Sequence, residues 1–553
     1  MRCSGAEMIV KTLEKRRIET VSGIPGGATL PIYDALYKSS IRHVLARHEQ
    51  GAGFIAQGMA RSTGKTAVCL ATSGPGATNL ITPIADAKSD SVPLVAITGQ
   101  VPVSMIGLDA FQEVDTYGLT LPVTKHNFLV RNVNNLPDVL SEAFQIAESG
   151  RPGPVVIDVP KDIQTEVVEI ERWPESQSTD VPTSWNKREI DQIVGMIHKA
   201  KRPVICIGGG VIASGCAEAL KKMAEKNSIP VASTLMGLGG VPPESPLFLG
   251  MIGMHGARYT NYVLEEADLL LAFGVRFDDR ATGRSMDFCR RADIIHIDID
   301  RSEIDKIKRV TLSVVGDVGE VLRDLISEIK VDRRSNWNSR ITRLKAQYPF
   351  IMPKTDSLQH PINLVHHVGK IAEFDTIVTT DVGQHQMWVA QVYPFRSPRT
   401  FLTSGGLGTM GFGVPAAIGA ALANSGRRVV CFSGDGSFLM NIQELATIVE
   451  QDLDVTVIIM KNDHLGLVRQ QQELFYNNRI YAAEFHSAPD FATIAQGFGL
   501  SGYDLSKSRD PLKTLALALS KPGPSVIVAP IDAAANVYPM VPPGSANRVM
   551  IGG

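Results

Sequence analysis

The chain has 553 residues, of which 44% are hydrophobic and 20% are charged. Its length allows about three domains, and its composition is typical of globular proteins and unlike that of fibrous or disordered ones. A formal net charge of −2 argues against a nucleic-acid partner and against binding to an anionic membrane. No run of about 18 apolar residues suggests a membrane span. The six cysteines lack CxxC spacing, which is typical of a reducing compartment, so we expect a cytoplasmic protein.

Short apolar runs recur along the chain, each followed by a glycine-rich or polar turn. In order they are residues 67–71, 93–98, 155–159, 203–207, 269–273, 429–432 and 455–460. Apolar strands that alternate with helices predict an α/β protein built on doubly wound parallel sheets. Ligands of such sheets bind beyond the carboxyl ends of the strands, so these turns are the candidate functional sites.

Two polar, proline-containing segments, 171–184 and 333–356, interrupt this pattern and are predicted to be linkers. They divide the chain into three predicted domains, 1–170, 185–332 and 357–553.

The first and third predicted domains resemble each other. Residues 151–160 match 521–530, and the strands before Ser73-Gly74 and Ser433-Gly434 match as well. We therefore predict that the two domains share a fold and that a ligand binds between them.

The turn Gly434-Asp435-Gly436 carries the clearest chemical signal. It follows one predicted strand, and Asn462 follows the next, so both side chains should lie at the same sheet edge. Carboxylate and carboxamide oxygens suit octahedral Mg²⁺, which in proteins often also holds phosphates. Gly-Asp-Gly alone is more often merely a turn. Together with Asn462 it predicts a site for magnesium and a diphosphate.

This pair of motifs resembles the signature of thiamine-diphosphate enzymes, which usually have two asparagines where this chain has Lys461 and Asn462. The resemblance implies that Asp435, Asn462 and the backbone carbonyl of His464 are the Mg²⁺ ligands. It also implies a first-domain glutamate that activates the cofactor by hydrogen bonding to its pyrimidine ring. Glu49 precedes a helix of small and apolar residues and fits this role. By itself, such an acid is more often a favourable charge at a helix N-terminus.

Over nearly the whole chain, further motifs resemble the large catalytic subunits of acetolactate synthase, in particular the isozyme I type. They lie at 25–27, 47–51, 73–79, 109–113, 124–126, 153–162, 253–256, 274–280, 380–388, 405–415 and 541–544. The resemblance implies the thiamine-diphosphate-enzyme fold, with a pyrimidine-binding first domain, an FAD-type middle domain and a diphosphate-binding third domain. It also implies a homodimer whose active sites combine residues of two copies, with a small regulatory subunit as partner.

By this resemblance, one set of residues binds thiamine diphosphate. On the first-domain side they are Pro25, Glu49, Thr72, Pro75, Asn79 and Gln112, and on the third-domain side Val382, Gly383, Gln384, His385, Gly408, Met410, Gly434, Asp435, Gly436, Ser437, Asn462, His464, Gly466 and Leu467. Met410 would be the apolar wedge that bends the cofactor, whereas most methionines are plain core packing.

In the middle domain, residues 208–213 match GxGxxA after a predicted strand. No acidic residue ends the next strand, so the match alone is a weak dinucleotide signature. The resemblance implies an FAD that takes no part in net redox chemistry. It assigns to this FAD Arg151, Gly208, Gly209, Gly210, Thr234, Leu235, Met254, His255, Gly274, Arg276, Asp279, Arg280, Asp298, Ile299, Asp317 and Val318. Asp298 and Asp317 could equally cap the ends of strands.

The implied reaction decarboxylates pyruvate and condenses the hydroxyethyl carbanion with a second pyruvate or with 2-oxobutanoate. The products are 2-acetolactate and 2-aceto-2-hydroxybutanoate, in the first common step of branched-chain amino acid biosynthesis. The acceptor carboxylate needs a cation and the site must exclude water. The implied catalytic residues are Glu49, Phe111, Gln112, Lys125, Lys161, Arg280 and Met410, with Arg280 on the acceptor carboxylate. The alternatives are a surface position for Lys161 and a core position for Phe111.

The chain departs from most relatives at Gln471, where they have tryptophan. Apolar contact with that tryptophan favours 2-oxobutanoate as acceptor, so we expect weaker discrimination against pyruvate here.

Other functions were weighed on the same residues. A simple 2-oxo acid decarboxylase has adjacent histidines in its first domain, whereas the pair His366-His367 lies in the third. Glyoxylate carboligase lacks the activating glutamate that Glu49 resembles, and a pyruvate oxidase would consume oxygen. A non-enzymatic scaffold is disfavoured because Glu49, Asp435 and Asn462 are all present.

Overall fold

The computed structural model describes residues 2–170, 173–174, 185–487 and 489–552. Within them lie three six-stranded sheets whose strands are all parallel, and one two-stranded antiparallel ribbon. The predicted α/β fold with three doubly wound sheets is therefore confirmed. None of the helices in the described ranges is both long and apolar enough to cross a membrane.

The first sheet has the strand order β3-β2-β4-β5-β7-β6, and β1 pairs with β8 in the ribbon. The strands of the sheet and the ribbon are β1 (Arg2–Ser4), β2 (Thr20–Gly23), β3 (Arg42–Leu45), β4 (Ala67–Ala71), β5 (Leu94–Gln100), β6 (His126–Leu129), β7 (Pro154–Pro160) and β8 (Val167–Glu169). The helices are α1 (Gly5–Lys15), α2 (Leu30–Tyr37), α3 (Glu49–Thr63), α4 (Pro75–Asn79), α5 (Ile81–Ser89), α6 (Thr116–Thr120), α7 (Leu136–Glu148) and α8 (Lys161–Thr165).

The middle sheet has the order β11-β10-β9-β12-β13-β14. Its strands are β9 (Pro203–Ile207), β10 (Val231–Ser233), β11 (Phe248–Met251), β12 (Leu269–Phe273), β13 (Asp293–Asp298) and β14 (Leu312–Val315). Its helices are α9 (Lys187–Lys199), α10 (Gly209–Ala213), α11 (Ala217–Asn227), α12 (Arg258–Glu266), α13 (Asp279–Thr282), α14 (Val318–Glu328) and α15 (Ser335–Gln347).

The third sheet has the order β16-β15-β17-β18-β20-β19. Its strands are β15 (Ile377–Thr380), β16 (Phe401–Leu402), β17 (Val429–Gly434), β18 (Val455–Lys461), β19 (Ser501–Asp504) and β20 (Ser525–Pro530). Its helices are α16 (Pro361–Ile371), α17 (Gln384–Val392), α18 (Gly413–Ala423), α19 (Asp435–Phe438), α20 (Leu445–Glu450), α21 (Gly466–Phe475), α22 (Phe491–Phe498) and α23 (Pro511–Ser520).

The first and third sheets have the same topology. Counted from β2 and from β15, both place their strands in the order 2-1-3-4-6-5, and the segments matched in the sequence become β4 with β17 and β7 with β20. The shared fold of the two outer domains is therefore as the sequence predicts. In each sheet the order reverses between the first and third strands, which is where such sheets bind ligands.

Helices α3 and α18 join the first and third domains through a shared apolar core. A Cβ on Gly58 would overlap the carbonyl oxygen of Ala416, and one on Gly419 would overlap that of Ile55. Glycine at these two positions lets the helix backbones touch, because any side chain would force them apart. Helix α3 has His48 as its N-cap. Its first residues lie at the sheet edge where a ligand can bind.

The predicted linker 333–356 is wrong for most of its length, because α15 occupies Ser335–Gln347. Trp337, Ile341 and Leu344 recur at helical spacing and are buried in the core of the middle domain. The polar residues on the other face of the helix gave the segment its linker-like composition. Of the other predicted linker, 171–184, only residues 173 and 174 lie among the described residues.

The C-terminal segment after β20 lies against the middle domain. Val541 donates its N–H to the Met254 carbonyl at 2.8 Å, and Asn547 donates from Nδ2 to the Ala281 carbonyl at 2.8 Å. It thereby joins the third domain to the loops that carry Met254 and the residues around α13.

Candidate active site

The first half of the candidate site is organised around Glu49, the first residue of α3. Asn79, the last residue of α4, donates from Nδ2 to Glu49 Oε2 at 2.9 Å. The N-cap His48 accepts from the Gln50 N–H at 3.1 Å and fixes the start of the helix. The half-buried carboxyl group of Glu49 is therefore oriented by a side chain from the turn that follows β4.

The turns after β2 and β4 pack against each other beside this acid. A Cβ on Gly26 would meet Thr72 at 2.5 Å, and one on Gly76 would meet Thr72 at 2.8 Å and Glu49 Oε1 at 3.5 Å. Thr72 Oγ1 is buried and has no hydrogen-bond partner in the described part of the chain, so it can bind a ligand atom. The structure thus brings together the predicted residues Pro25, Glu49, Thr72, Pro75 and Asn79.

The second half lies at the equivalent place in the third sheet, after β17 and β18. Asp435 accepts from the Gly436 N–H at 3.0 Å and from the Asp463 N–H at 2.7 Å, and burial raises the pKa of its carboxyl group. Asn462 Oδ1 accepts from the His464 N–H at 3.1 Å, while His464 Nδ1 lies 2.7 Å from the Asn462 carbonyl. The His464 ring is therefore held by a hydrogen-bonding contact within its own loop.

These oxygens form a mixed donor set. A group of three His, Cys, Asp or Glu side chains able to hold a metal does not occur in residues 2–170, 173–174, 185–487 and 489–552. The predicted set requires none, since it consists of one carboxylate, one carboxamide and one backbone carbonyl. Two or three protein oxygens, completed by phosphate oxygens and water, are typical of Mg²⁺.

The start of α17, directly after the turn that follows β15, provides a buried imidazole beside this donor set. A Cβ on Gly383 or on Gly434 would meet the His385 ring, at 2.7 Å and 3.1 Å. Burial lowers the pKa of His385 to about 3, so the ring is neutral, and its Nε2 has no hydrogen-bond partner among the described residues. Ser437 Oγ donates to the Val382 carbonyl at 3.1 Å and ties this turn to the Asp435 turn.

Gln384 connects the same turn to the start of α21. Its Oε1 lies against Gly466, where any side chain would overlap it, and 3.5 Å from Asn462 Nδ2. Its Nε2 donates to Gln470 Oε1 at 2.9 Å. Leu467 is the second residue of α21 and is half-buried. All the predicted diphosphate-side residues after β15, β17 and β18 therefore lie along one sheet edge.

Gly408 and Met410 lie on the loop between β16 and α18. Gly408 has a φ of +71° and faces Val382, and Met410 is half-buried at the loop's end. Within the described residues, no hydrogen bond joins Glu49 or Asn79 to the Asp435 loop of the same chain. We call these two groups of residues, one around Glu49 and one around Asp435, half-sites.

The middle-sheet residues assigned to FAD follow the ends of neighbouring strands. The strand order reverses between β9 and β12, where sheets of this topology bind dinucleotides. There Gly210 donates its N–H to the Gly274 carbonyl at 3.2 Å, and Gly274 has a φ of +59°. The remaining residues at this edge are Gly208, Gly209, Thr234, Leu235, Asp298, Ile299, Asp317 and Val318.

Three polar side chains of the middle domain show different roles. Asp317 is the N-cap of α14 and accepts from the Glu320 N–H at 3.1 Å, as the capping alternative anticipates. Burial raises the pKa of Asp298 to about 6, and its Oδ1 accepts from the Asp300 N–H at 2.9 Å. His255 Nδ1 is buried without a partner in the described ranges, and burial lowers the pKa of this ring to about 4.

Comparison with known proteins identifies the family. Models of thiamine pyrophosphate enzymes match residues 3–119 (N-terminal TPP binding domain), 190–325 (central domain) and 381–529 (C-terminal TPP binding domain). The chain is 55% identical to the acetolactate synthase isozyme 1 large subunit of Escherichia coli K12, over 100% of this chain and 98% of the relative. The chain belongs to the acetolactate synthase large-subunit family.

Two further members show how widely the similarity extends. The isozyme 2 large subunit of Escherichia coli K12 is 44% identical over 99% of both chains. The chloroplastic acetolactate synthase of Arabidopsis thaliana is 45% identical over 99% of this chain and 84% of its own length. The higher identity to isozyme 1 than to isozyme 2 agrees with the predicted isozyme I type.

In this family member, Arg280 lies on the short helix α13 with its side chain 64% exposed. Its Nη1 is 3.4 Å from Met254 Sδ, and its Nε is 3.8 Å from the carboxylate of Asp279. The weak exposed contact with Asp279 leaves the guanidinium able to bind a carboxylate.

Arg151 and Arg276, both assigned to FAD, instead bridge domains in the single chain. Arg151 donates to Ser91 Oγ at 2.8 Å and pairs with Glu303 at 2.7 Å. Arg276 donates to the carbonyl oxygen of Ser89, at the end of α5. Both arginines therefore join the first domain to the middle one.

The predicted substrate-channel residues of the first domain lie on three different segments of the chain. Phe111 is 88% exposed on a loop, which excludes the alternative of a core position, and the backbone of Gln112 lies against Gly74. Lys161 begins α8 and is exposed. The Lys125 ammonium donates to carbonyls at the end of α7, including that of Ser149 at 2.7 Å. The partial negative charge of a helix C-terminus accounts for that position.

Sequence reasoning missed four buried carboxyl groups that hold the half-sites. Asp381 accepts from the Gly411 N–H at 2.7 Å, and burial raises its pKa to about 6. Glu444 accepts from the backbone just before Glu49. Asp86 and Asp90 contact the loop that carries Met410. A signal was available, because an acid within an otherwise apolar segment is rarely buried without a partner.

Proposed function

We propose that this chain is an acetolactate synthase. It decarboxylates pyruvate and transfers the two-carbon unit to a second pyruvate, giving 2-acetolactate, or to 2-oxobutanoate, giving 2-aceto-2-hydroxybutanoate. The supporting observation is the pair of half-sites at equivalent strand reversals of two like sheets, one with an oriented acid and the other with a magnesium donor set. The domains proposed for this task are 1–170, 185–332 and 357–553, with α15 packed into the core of the middle one.

The residues present fit thiamine diphosphate with Mg²⁺. Asp435, Asn462 and the His464 carbonyl would hold the metal, and the unpartnered His385 Nε2 beside the glycine turns would bind the diphosphate. When bound, thiamine diphosphate supplies the carbon nucleophile that accepts pyruvate and the electron sink for loss of CO₂. FAD fits the reversal between β9 and β12, where Gly210 and Gly274 leave no space for side chains.

Glu49 is proposed to hold the proton that activates the cofactor. Asn79 donates a hydrogen bond to Glu49 Oε2. The other oxygen, Oε1, is left to share the carboxyl proton with a ring nitrogen of the bound cofactor. The hydrogen bond from the Gln50 N–H to the His48 side chain fixes the first turn of α3, and Glu49 is the first residue of that turn. Glutamine at position 49 would keep the shape and remove the exchangeable carboxyl proton.

Arg280 is proposed to bind the carboxylate of the acceptor through its guanidinium. Phe111 and Met410 are proposed to exclude water, which would otherwise protonate the two-carbon unit and release acetaldehyde. Lys161, exposed beside the first-domain loops, is proposed to attract the anionic oxo acids. Lys125 is proposed to line the substrate channel, with its ammonium held by carbonyls at the end of α7.

We further propose that each active site joins the first-domain half of one copy to the third-domain half of another in a homodimer. Exposed apolar side chains flank both halves, which supports burial against a second copy. They are Leu30, Leu108 and Phe111 on the first domain and Leu407, Leu439 and Met440 on the third.

A small regulatory subunit is proposed as a further partner, because two of the relatives are named as large subunits. The free state of all six cysteines supports a reducing compartment such as the cytoplasm.

Product analysis tests this proposal. The purified protein, supplied with thiamine diphosphate, Mg²⁺ and FAD, should convert pyruvate to 2-acetolactate, and should also form 2-aceto-2-hydroxybutanoate when 2-oxobutanoate is added. Glu49→Gln should lower the rate at least about a thousand-fold, a loss in the range of general acid–base catalysis. Glu14→Gln, on the exposed face of α1, is the matched control and should leave the rate unchanged. Acetaldehyde as the sole product, or an active Glu49→Gln variant, would refute the proposal.

A further inference from the structure

A buried ionic cluster lies between the first and third domains of the same chain. Arg61 of α3 pairs with Asp86 of α5 at 2.7 Å and with Asp90, the C-cap of α5, at 3.0 Å. The side chains of both aspartates are fully buried and that of Arg61 is 7% exposed. Two carboxylates face one guanidinium, so the cluster needs further donors to be stable in the interior.

The loop that carries Met410 supplies those donors. Asp90 accepts from two successive backbone N–H groups, those of Gly405 at 2.9 Å and Gly406 at 2.7 Å. Asp86 accepts from the hydroxyl of Thr409 at 3.1 Å and from that of Ser404. Both ends of the loop are therefore attached to α5.

Arg61 completes the attachment. It donates to the Thr403 carbonyl at 3.0 Å, and its guanidinium lies 5.0 Å from the ring centre of Phe412. Arg276 of the middle domain also approaches Asp90, at 3.9 Å. Charged groups of the first domain thus hold the loop from Thr403 to Phe412 at several points along its length.

We propose that Asp86 and Asp90 are positioning residues that hold the 403–412 loop, with Gly408 and Met410, in the geometry required for transfer of the two-carbon unit. This inference rests on the proposed function. The carboxylates touch neither substrate nor cofactor; they act through the loop. A fixed loop excludes water from the transfer step, while a loosened loop admits it and converts transfer to a second pyruvate into release of acetaldehyde. Release consumes one pyruvate and one proton and yields acetaldehyde and CO₂, so no further reactant is needed.

Asp90→Asn tests the inference, with Asp268→Asn as its matched control. Asp268 also accepts from two successive backbone N–H groups, those of Lys201 at 2.9 Å and Arg202 at 2.8 Å, but it lies in the middle domain away from the loop. We expect Asp90→Asn to raise the ratio of acetaldehyde to acetolactate about five-fold or more, and to lower kcat about ten-fold at saturating thiamine diphosphate. Asp268→Asn should leave the product ratio unchanged. The ratio does not depend on how much of the protein is folded.

Thr409→Val provides a milder variant, which removes one hydroxyl contact to Asp86 without burying a new polar group. It should raise the product ratio about two-fold, and it decides the test if Asp90→Asn does not fold. Product ratios equal to that of the unmodified protein in both Asp90→Asn and Thr409→Val would overturn the inference. If the unmodified protein formed no acetolactate at all, the proposed function would fail instead, so the two failures are distinguishable.

Discussion

Glu444→Gln should loosen the helix start that presents Glu49. Glu444 is fully buried, and its Oε1 accepts from the N–H groups of Arg47 at 3.0 Å and His48 at 3.1 Å, immediately before α3. Both bonds are charge-assisted when the carboxyl group is ionised. The amide of glutamine keeps one acceptor oxygen, but it carries no charge and replaces the second oxygen by an NH₂ group. We expect this change to weaken the attachment of the start of α3 by about 2 kcal/mol.

Hydrogen exchange measures this effect at the two amides concerned. A loss of about 2 kcal/mol corresponds to exchange about 30-fold faster in a peptide that spans residues 45–52. We expect kcat of Glu444→Gln to fall about ten-fold as well, because Glu49 directly follows His48 and its position depends on the same helix start.

Glu450→Gln is the matched control, because Glu450 is the last residue of α20 and Glu444 is the N-cap of the same helix. Glu450 also contacts Arg47, through the side chain, but at a partly exposed ion pair that is worth at most about 1 kcal/mol. Unchanged exchange at 47 and 48 in Glu444→Gln, or an equal change in Glu450→Gln, would refute the reasoning that the buried carboxylate holds the start of α3.

Three further predictions concern other parts of the chain. Burial raises the pKa of Asp158 to about 7, so the folded protein holds a proton that the unfolded chain has released, and stability should fall as the pH rises from about 4 to about 7. Asp158→Asn should flatten this slope in urea titrations, and a slope unchanged by the substitution would contradict the assignment. Gln471→Trp should raise the preference for 2-oxobutanoate over pyruvate about ten-fold in competition assays, because an apolar surface favours the extra methylene. A preference unchanged from that of the unmodified protein would contradict this prediction. Gly274→Ala should weaken FAD binding at least about ten-fold by fluorescence titration, since a Cβ there would overlap Gly210 and the φ of +59° disfavours alanine; unchanged affinity would argue against FAD at this reversal.

The sheets and their ligand edges could be predicted because their strands are almost uninterrupted apolar runs. The runs at β4, β9, β12, β17 and β18 are all buried along their length or nearly so. Sequence spacing alone also placed Asp435 and Asn462 at one edge, because each follows the end of a neighbouring parallel strand.

Other features depend on contacts that no local pattern contains. The sequence of α15 is mostly polar, and only its three buried side chains distinguish it from a linker. The charge of Lys125 indicates a partner but not that the partner is a helix end. The attachment of Asp86 and Asp90 to a loop more than 300 residues away depends on how two domains dock.

The central claim is that a site combines Glu49 of one copy with Asp435 of another. Mixing the inactive variants Glu49→Gln and Asp435→Asn, with exchange of subunits, tests it most directly. A mixed dimer would contain one site with both substitutions and one intact site, so random mixing should restore about a quarter of the unmodified activity. Activity that stays at the level of the separate variants, although mixed dimers have formed, would show that both residues serve the same chain and would contradict the account.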